Sequence, residues 1–460
     1  LTKGTRYIVV GVTTAVGILL FFWWLFHDPV RGLSPALPGA DNRPPRADSA
    51  SEKVIPGEIF FDAGGTLTGL TETWPRFRGE HFDNISRSSF RLLDRFGGKA
   101  PDIVWSVELG EGHAGGAIWK GAVYALDYDE LRRCDMLRCF NLADGREIWQ
   151  RGYRVTIRRN HGMSRTVPAV TEKYILTLGP RAHVMCLDRL SGDFLWGLDI
   201  EKEYHAEVPF WYTGQCPLID HDRAIIATGG TALMAAYDCA TGKKLWETPN
   251  PGGWKMSHSS IMPMTFAGKR MFVYSAVGGV CGVAADGPDA GLVLWSSDAW
   301  NKSVVAPSPV CLPDGRIFLT AGYGAGSMMI RIKPSGNRFD VEVLDQYPPV
   351  KGLACEQQSP LLFHGYLLGI LPKDAAALRN QLACFNPDDL HNPVWSSGAE
   401  ARFGLGPYLI ADNKLFILND DGILTIVRPS ISHSSSLTRS GFSKARMPGP
   451  RSPLPTGTWY

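Results

Sequence analysis

Four stretches carry the same pattern: CFNLADGREIW (139–149), CLDRLSGDFLW (186–196), YDCATGKKLW (237–246) and ADGPDAGLVLW (285–295). Each runs from an apolar start through a small loop with Asp and Gly, or Ser and Gly, to an apolar residue and Trp. A degenerate copy, CFNPDDLHNPVW (384–395), ends at Trp395. Trp149, Trp196, Trp246 and Trp295 stand 47, 50 and 49 residues apart, and Trp395 follows 100 residues later, across a copy without Trp near Val343. A period in the upper forties with no helical patterning means a radial array of small β-sheets.

A second register keeps step with the first. Pro168, Pro217, Pro263, Pro309, Pro360 and Pro407 each open another apolar run, at spacings of 49, 46, 46, 51 and 47. Between the two markers lie runs such as YILTLG, AIIATGG, MFVYSAV, RIFLTAG and LFILND. Runs of that length bounded by Gly and Asp read as strands. Each unit is therefore a four-stranded antiparallel blade. The Asp-Gly or Ser-Gly pair makes the turn before the outermost strand. The five tryptophans, Trp149, Trp196, Trp246, Trp295 and Trp395, read as wedges against the next blade.

The Asp-x-x-Thr-Gly-x-x-Leu-Trp pattern, clearest at 238–246, resembles the tryptophan-docking repeat of pyrroloquinoline-quinone (PQQ)-type propellers. That group includes quinoprotein dehydrogenases and the propeller subunit of the outer-membrane barrel-assembly machinery. WPRFRG (74–79), NHGMSRTVPAV (160–170), WYTGQCPLID, GWKMSHSSIMPM, GYGAGSMM and NDDGILT resemble the PQQ-binding-like β-propeller repeat proteins of bacteria. The resemblance spans residues 74–427. It implies an all-β PQQ-like propeller, with eight blades in the parent fold. The last two blades are incomplete here, and a seven-bladed ring closed by IVWSVEL (103–109) is the alternative.

Composition agrees with an exported all-β domain: 50 Gly, 32 Pro and 14 Trp, with a formal net charge of +2. That charge shows no nucleic-acid footprint. Residues 7–26 hold no charge and are long enough to span a bilayer. Lys3 and Arg6 before them favour a cytoplasmic amino terminus. The expected plan is a cytoplasmic start (1–6), a transmembrane signal-anchor helix (7–27), a Pro/Ser-rich linker (28–73) with a short strand at GEIFF, and a propeller (74–430). This is a single-pass inner-membrane protein with its propeller on the periplasmic side. A cleaved signal peptide is the alternative. Nine cysteines lie without CxxC spacing and read as small buried hydrophobes.

Residues 434–460 read SSSLTRSGFSKARMPGPRSPLPTGTWY, without a strand pattern. The genetic code permits codons for them that read ELLDKVRLFEGPDAWAPLAIADGYLV once the first two nucleotides are skipped. That string holds a strand, KVRLF, and a Pro-marked unit, APLAIADGYLV, matching GPYLIADNKLFIL at 406–418. The expectation for residues 431–460 is a disordered tail or a frameshift near His433.

Polar residues before each marker Pro would gather at one axial mouth. His161, Arg165, Gln215, Lys255, His258, Lys302, Glu356, Gln357 and Arg402 are the candidate ligand-facing set. Its cations suit an anion, and PQQ is a tricarboxylate. The resemblance to quinoprotein dehydrogenases stops at the repeat, for the adjacent cysteines and a CxxCH haem site are missing, and the axial candidates include no Asp to serve as their base. No catalytic or metal-binding residue is assigned. The expected function is a binding or assembly scaffold with protein partners. A PQQ-dependent dehydrogenase-like oxidoreductase is the alternative.

Overall fold

The computed structural model describes residues 3–26, 53–96, 101–160, 162–429 and 435–441. The chain divides into two compact units, Leu1–Lys53 and Val54–Tyr460. The first unit contains a 24-residue helix, Lys3–Phe26. Among the described residues no helix is long and apolar enough to cross a membrane. The spanning helix expected at residues 7–27 is therefore not found there.

Among the described residues the second unit forms seven sheets. From rim to axis the first runs Ile59–Asp62, Glu147–Arg154, Cys134–Asn141, Ala122–Asp129, Ala117–Trp119 and Thr73–Trp74. Five four-stranded sheets follow, with innermost strands Ala169–Val170, Leu218–Asp220, Met262–Phe266, Val310–Cys311 and Leu361–Phe363. The seventh runs outward through Ile85–Ser86, Tyr408–Ala411, Lys414–Leu418, Ile423–Arg428 and Ser435–Gly441. Among the described residues all strand pairings are antiparallel except that of Ile85–Ser86 with Tyr408–Ala411. The short strand expected at GEIFF is the rim strand of the first sheet.

A four-stranded sheet has two apolar faces and cannot bury both alone. Here each face meets the next sheet. Tyr124, Leu137 and Trp149 of the first pack on Ile175, Met185 and Leu187 of the second. Leu176, Cys186 and Trp196 pack in turn on Ala224, Ile226 and Ala235 of the third. The same holds through to the seventh sheet, with Trp246 between the third and fourth, Trp295 between the fourth and fifth and Trp395 between the sixth and seventh, while the fifth packs on the sixth without a Trp. The wedges rest on glycine turns. A Cβ on Gly192 would stand 2.8 Å from the Trp149 ring, and one on Gly242 would stand 2.6 Å from Trp196. Both glycines have φ near +70°, so backbone and neighbour both demand glycine. The nine thiols are free and packed, and burial pushes those of Cys139 and Cys281 up to about 12, which leaves them unreactive.

A second device joins the sheets near the axis. The Val167 N–H donates to Cys216 Sγ at 3.2 Å, and the Cys216 N–H to Ser260 Oγ at 2.9 Å. The Ser260 N–H donates to Ser308 Oγ at 3.0 Å, and the Ser308 N–H to Ser359 Oγ at 2.8 Å. Five consecutive sheets are linked head to tail by one repeated bond. Its register corrects the Pro marker in one place: Ser260 and Ile261 stand where Cys216 and Pro217 stand, so Pro263 lies two residues further along.

Two other expectations change. Residues 103–109 form no strand, so they do not close a seven-bladed ring as written. Trp105 nevertheless sits over Gly145, where a Cβ would be 2.6 Å from its ring, and its Nε1 donates to Leu142 O at 2.9 Å. The tail is not strandless, for Ser435–Gly441 pairs with Ile423–Arg428. The remainder, residues 442–460, lies outside the described residues.

Replacing a docking wedge should therefore loosen one joint. Trp196→Ala is expected to lower the unfolding free energy by about 3–5 kcal/mol, and Trp196→Phe by less. Phe keeps most of the packing but loses the 2.8 Å bond from Nε1 to Cys239 O. Equilibrium denaturation checks both.

Candidate axial site

The axis is occupied by the chain itself. Pro75 O accepts from the Val170 N–H at 2.8 Å, in the second sheet. Arg76 Nη1 donates to Ile219 O of the third at 3.2 Å. Arg78 donates to Ser359 O at 3.3 Å and Pro360 O at 3.1 Å, at the start of the sixth. Asn84 Nδ2 donates to Tyr408 O at 3.2 Å, and the Ile410 N–H to Asn84 O at 2.9 Å, in the seventh. Thr73–Trp74 completes the first sheet. A segment that bonds to five sheets arranged in sequence lies at their common axis. Arg78 is buried, and burial lowers its pKa. Arg remains charged at such sites, and carbonyls with a bond to Phe82 O at 2.8 Å hold the charge.

Above this plug, the connections leading into each innermost strand form one end. Trp211, from the connection into the third sheet, stacks on Tyr323 from the fifth, centroids 5.8 Å apart and planes 10° apart. Trp211 also lies 6.4 Å from the His258 ring. Burial, and then the Arg165 guanidinium, push His258 down to about 4. It is a neutral imidazole at neutral pH. Lys373 lies 5.7 Å over the Tyr323 ring and 3.2 Å from the buried Glu356 carboxylate.

The candidate side chains are mostly committed within the protein. Arg165 donates to Gly162 O at 3.2 Å and Asn160 O at 3.4 Å. Gln215 is buried and donates to Ala227 O of its own sheet at 2.7 Å. Lys255 pairs with Glu207 at 2.5 Å. Lys302 lies 5.0 Å over the Trp300 ring. Arg402 donates to the carbonyls of Ala399, Arg379 and Ala377. Gln357 is half-buried, and His161 lies outside the described residues. The structure thus brings Arg165 and His258 together beneath Trp211, and gives Glu356 to Lys373. Lys255, Lys302 and Arg402 each keep a partner of their own. Arg76, Arg78, Trp211 and Tyr323 were not foreseen from sequence. The Trp-Pro-x-x-Arg-Gly run at 74–79 was the one signal that marked the plug.

A carboxylate cluster elsewhere, Asp220 with Asp286 and His221, has ligand atoms within 4.8 Å of one another. Two guanidiniums already fill it: Arg223 reaches both carboxylates, at 2.6 and 2.8 Å, and Arg270 pairs with both as well. It is an ion-pair clamp between the third and fourth sheets.

The model of the family described as outer membrane protein assembly factor BamB matches residues 134–331, from the first sheet into the fifth. Over that stretch the chain is similar to PQQ-like β-propeller proteins, and the second to fifth sheets are four-stranded and antiparallel as in a propeller. Among solved structures, BamB from Moraxella catarrhalis is 13% identical, with 70% of this chain and 85% of that chain covered and a TM-score of 0.47. The quinohemoprotein alcohol dehydrogenase from Comamonas testosteroni is 12% identical, with 80% and 73% covered and a TM-score of 0.42. The computationally designed Ika8 protein is 11% identical, with 75% and 91% covered and a TM-score of 0.47. With TM-scores below 0.5, these likenesses do not bear on what the PQQ-like propeller does. No curated protein matches the sequence.

Two outcomes follow from these contacts. Arg78→Met removes the donor to three carbonyls and is expected to cost about 3 kcal/mol in equilibrium denaturation, with far-UV circular dichroism unchanged. At the joint of the first two sheets, Asp135 is buried, accepts from Tyr153 Oη at 2.7 Å, and has its carboxyl pushed up to about 7 by burial. The folded value lies above the ordinary 3.8, so the fold holds a proton that the unfolded chain releases. That contribution is full below about pH 4 and is lost as pH rises through about 7. The stability of Asp135→Asn relative to the parent protein is therefore expected to grow across that window, on the order of 4 kcal/mol, as read from denaturation at each pH.

Proposed function

We propose that this propeller is a binding or assembly scaffold that takes a protein partner on its mouth end. One observation carries the reading: the axis is filled by the chain's own residues, while the loops around the mouth expose apolar tips. Leu131 is 97% exposed, Val350 62%, Phe210 57% and Tyr323 57%. They project from four different loops at the end where the sheets connect. Apolar tips framed by polar loops mark a surface that meets another protein. The matched family's description as an assembly factor supports the same reading. The uncharged run at residues 7–26 supports an anchor in the cytoplasmic membrane with the propeller on the periplasmic side.

The residues present do not form a cradle for a planar tricarboxylate such as PQQ. Arg165, Lys255 and Arg402 are held by carbonyls and by Glu207. The dehydrogenase-like reading needs them freed.

Two measurements separate the readings. Titration with PQQ, with and without calcium, is expected to leave Trp fluorescence without saturable quenching at high micromolar quinone. Saturable quenching lost in Arg165→Ala would favour the oxidoreductase. A photo-crosslinking amino acid at Phe210 is expected to give a discrete protein adduct in cells, while one at Leu190, on the opposite end, gives none. Equal adducts at both ends would remove the mouth as the docking surface.

A further inference from the structure

Three loops at the mouth end are bonded into one surface. The connection from the first sheet to the second, residues 154–160, lies beside the loop 129–133 of the first sheet. The Val155 N–H donates to Arg133 O at 2.9 Å. Tyr128 Oη donates to Val155 O at 2.9 Å and accepts from the Ile157 N–H at 3.2 Å. On its other side the same connection meets the loop that enters the third sheet. Asn160 Nδ2 donates to Phe210 O at 2.9 Å, and Tyr212 Oη donates to Arg158 O. The exposed tips Leu131 and Phe210 therefore belong to one sector, with residues 154–160 between them.

That sector is basic. Arg132, Arg133, Arg154, Arg158 and Arg159 are all exposed on it. Arg132 Nε lies 3.6 Å from Asp129, and Arg159 Nε lies 2.5 Å from Glu111. Among the described residues Arg133, Arg154 and Arg158 have no ion-pair partner. Glu58 takes the Arg154 backbone N–H, at 3.2 Å, and not its guanidinium. The Arg181, Arg158 and Arg165 guanidiniums all lie close enough to act on the Tyr212 hydroxyl. This excess is local, for the whole chain has a formal net charge of only +2. The next connection around the ring is acidic: its short helix Ile200–Tyr204 exposes Glu201 and Glu203, and Glu207 follows.

We propose, resting on the reading of the mouth end as a docking surface, that the sector from Leu131 to Phe210 takes an acidic segment of the protein partner. Asp or Glu side chains of that segment pair with Arg133, Arg154 and Arg158, and an apolar residue beside them packs on Leu131. Charge selects this occupant. Guanidiniums bind carboxylates in a bidentate geometry, and an apolar contact rimmed by such pairs is the usual build of an interface. Complementary charge also fixes which partner docks and in what register. A flat anionic surface such as a membrane, laid across this end, would meet Glu201, Glu203 and Glu207 together with the arginines. A shaped protein segment can meet the arginines alone.

A photo-crosslinking amino acid at Leu131 of the full chain, in its own cells, tests the charge of the partner. The parent protein is compared with two triple variants: Arg133→Lys, Arg154→Lys and Arg158→Lys together, and Arg133→Glu, Arg154→Glu and Arg158→Glu together. Adducts are read per mole of folded protein, with circular dichroism as the check on folding. The lysine variant is expected to keep the protein adduct near the parent level, and the glutamate variant to lose it several-fold. Tandem mass spectrometry of the adduct is expected to give a partner peptide of net negative charge. An adduct that the glutamate variant keeps in full, a neutral or basic partner peptide, or an adduct to phospholipid overturns the acidic segment. An adduct from Phe210 with none from Leu131 overturns it too and leaves the mouth a docking surface. No adduct from either position removes that surface, and the acidic segment with it.

Discussion

One repeated hydrogen bond holds the inner ends of the sheets in register. A backbone N–H at the start of each innermost strand donates to a small polar side chain at the same place in the next sheet, from Val167 through Cys216, Ser260 and Ser308 to Ser359. Inner strands of two to five residues have few ladder bonds of their own. Buried backbone donators there need partners, and the neighbouring sheet supplies them. Where the run ends at Ser359, its carbonyl accepts from Arg78 and from Tyr408 Oη at 2.9 Å. The plug takes over from the girdle at the place where the sixth sheet passes to the seventh.

That division explains why the axis is filled. A ring this wide leaves carbonyls of the inner strands facing inward with no strand to pair them. Guanidinium groups from Arg76 and Arg78 answer them at fixed geometry. Filling the axis leaves the mouth as a surface, roofed by Trp211 on Tyr323. The functional reading follows from this geometry, since side chains that bond to their own blades are not free to converge on a ligand.

The sequence announced the array through two features with strong local causes. Trp in the outer strand and Gly in the turn recur because a ring packed on a positive-φ backbone allows no other pair, as at Trp196 over Gly242. The Pro marker was less faithful. It reflects an edge strand that needs no N–H at that point, a demand that Ile261 meets equally well in the fourth sheet. The site was less legible. His258 and Arg165 meet because of loop paths, and Gln215 and Arg402 turn back to carbonyls 3 to 25 residues away. Neither behaviour leaves a periodic trace. The plug was legible as a motif, WPRFRG, but not as a position, because its partners lie up to 282 residues away. Trp105 was read as part of a strand. Its wedge role survives in the structure while the strand does not.

Native-state hydrogen exchange over residues 74–86 tests the filled axis most directly. If the segment is stapled to five sheets, the amides of Gly79, Asn84 and Ile410, bonded to Arg76 O, Arg78 O and Asn84 O, exchange as slowly as those of the inner strands. Exchange of all three at the rate of exposed loop residues such as Glu130 and Leu131 would mean that the axis is open, and the scaffold reading would lose its foundation.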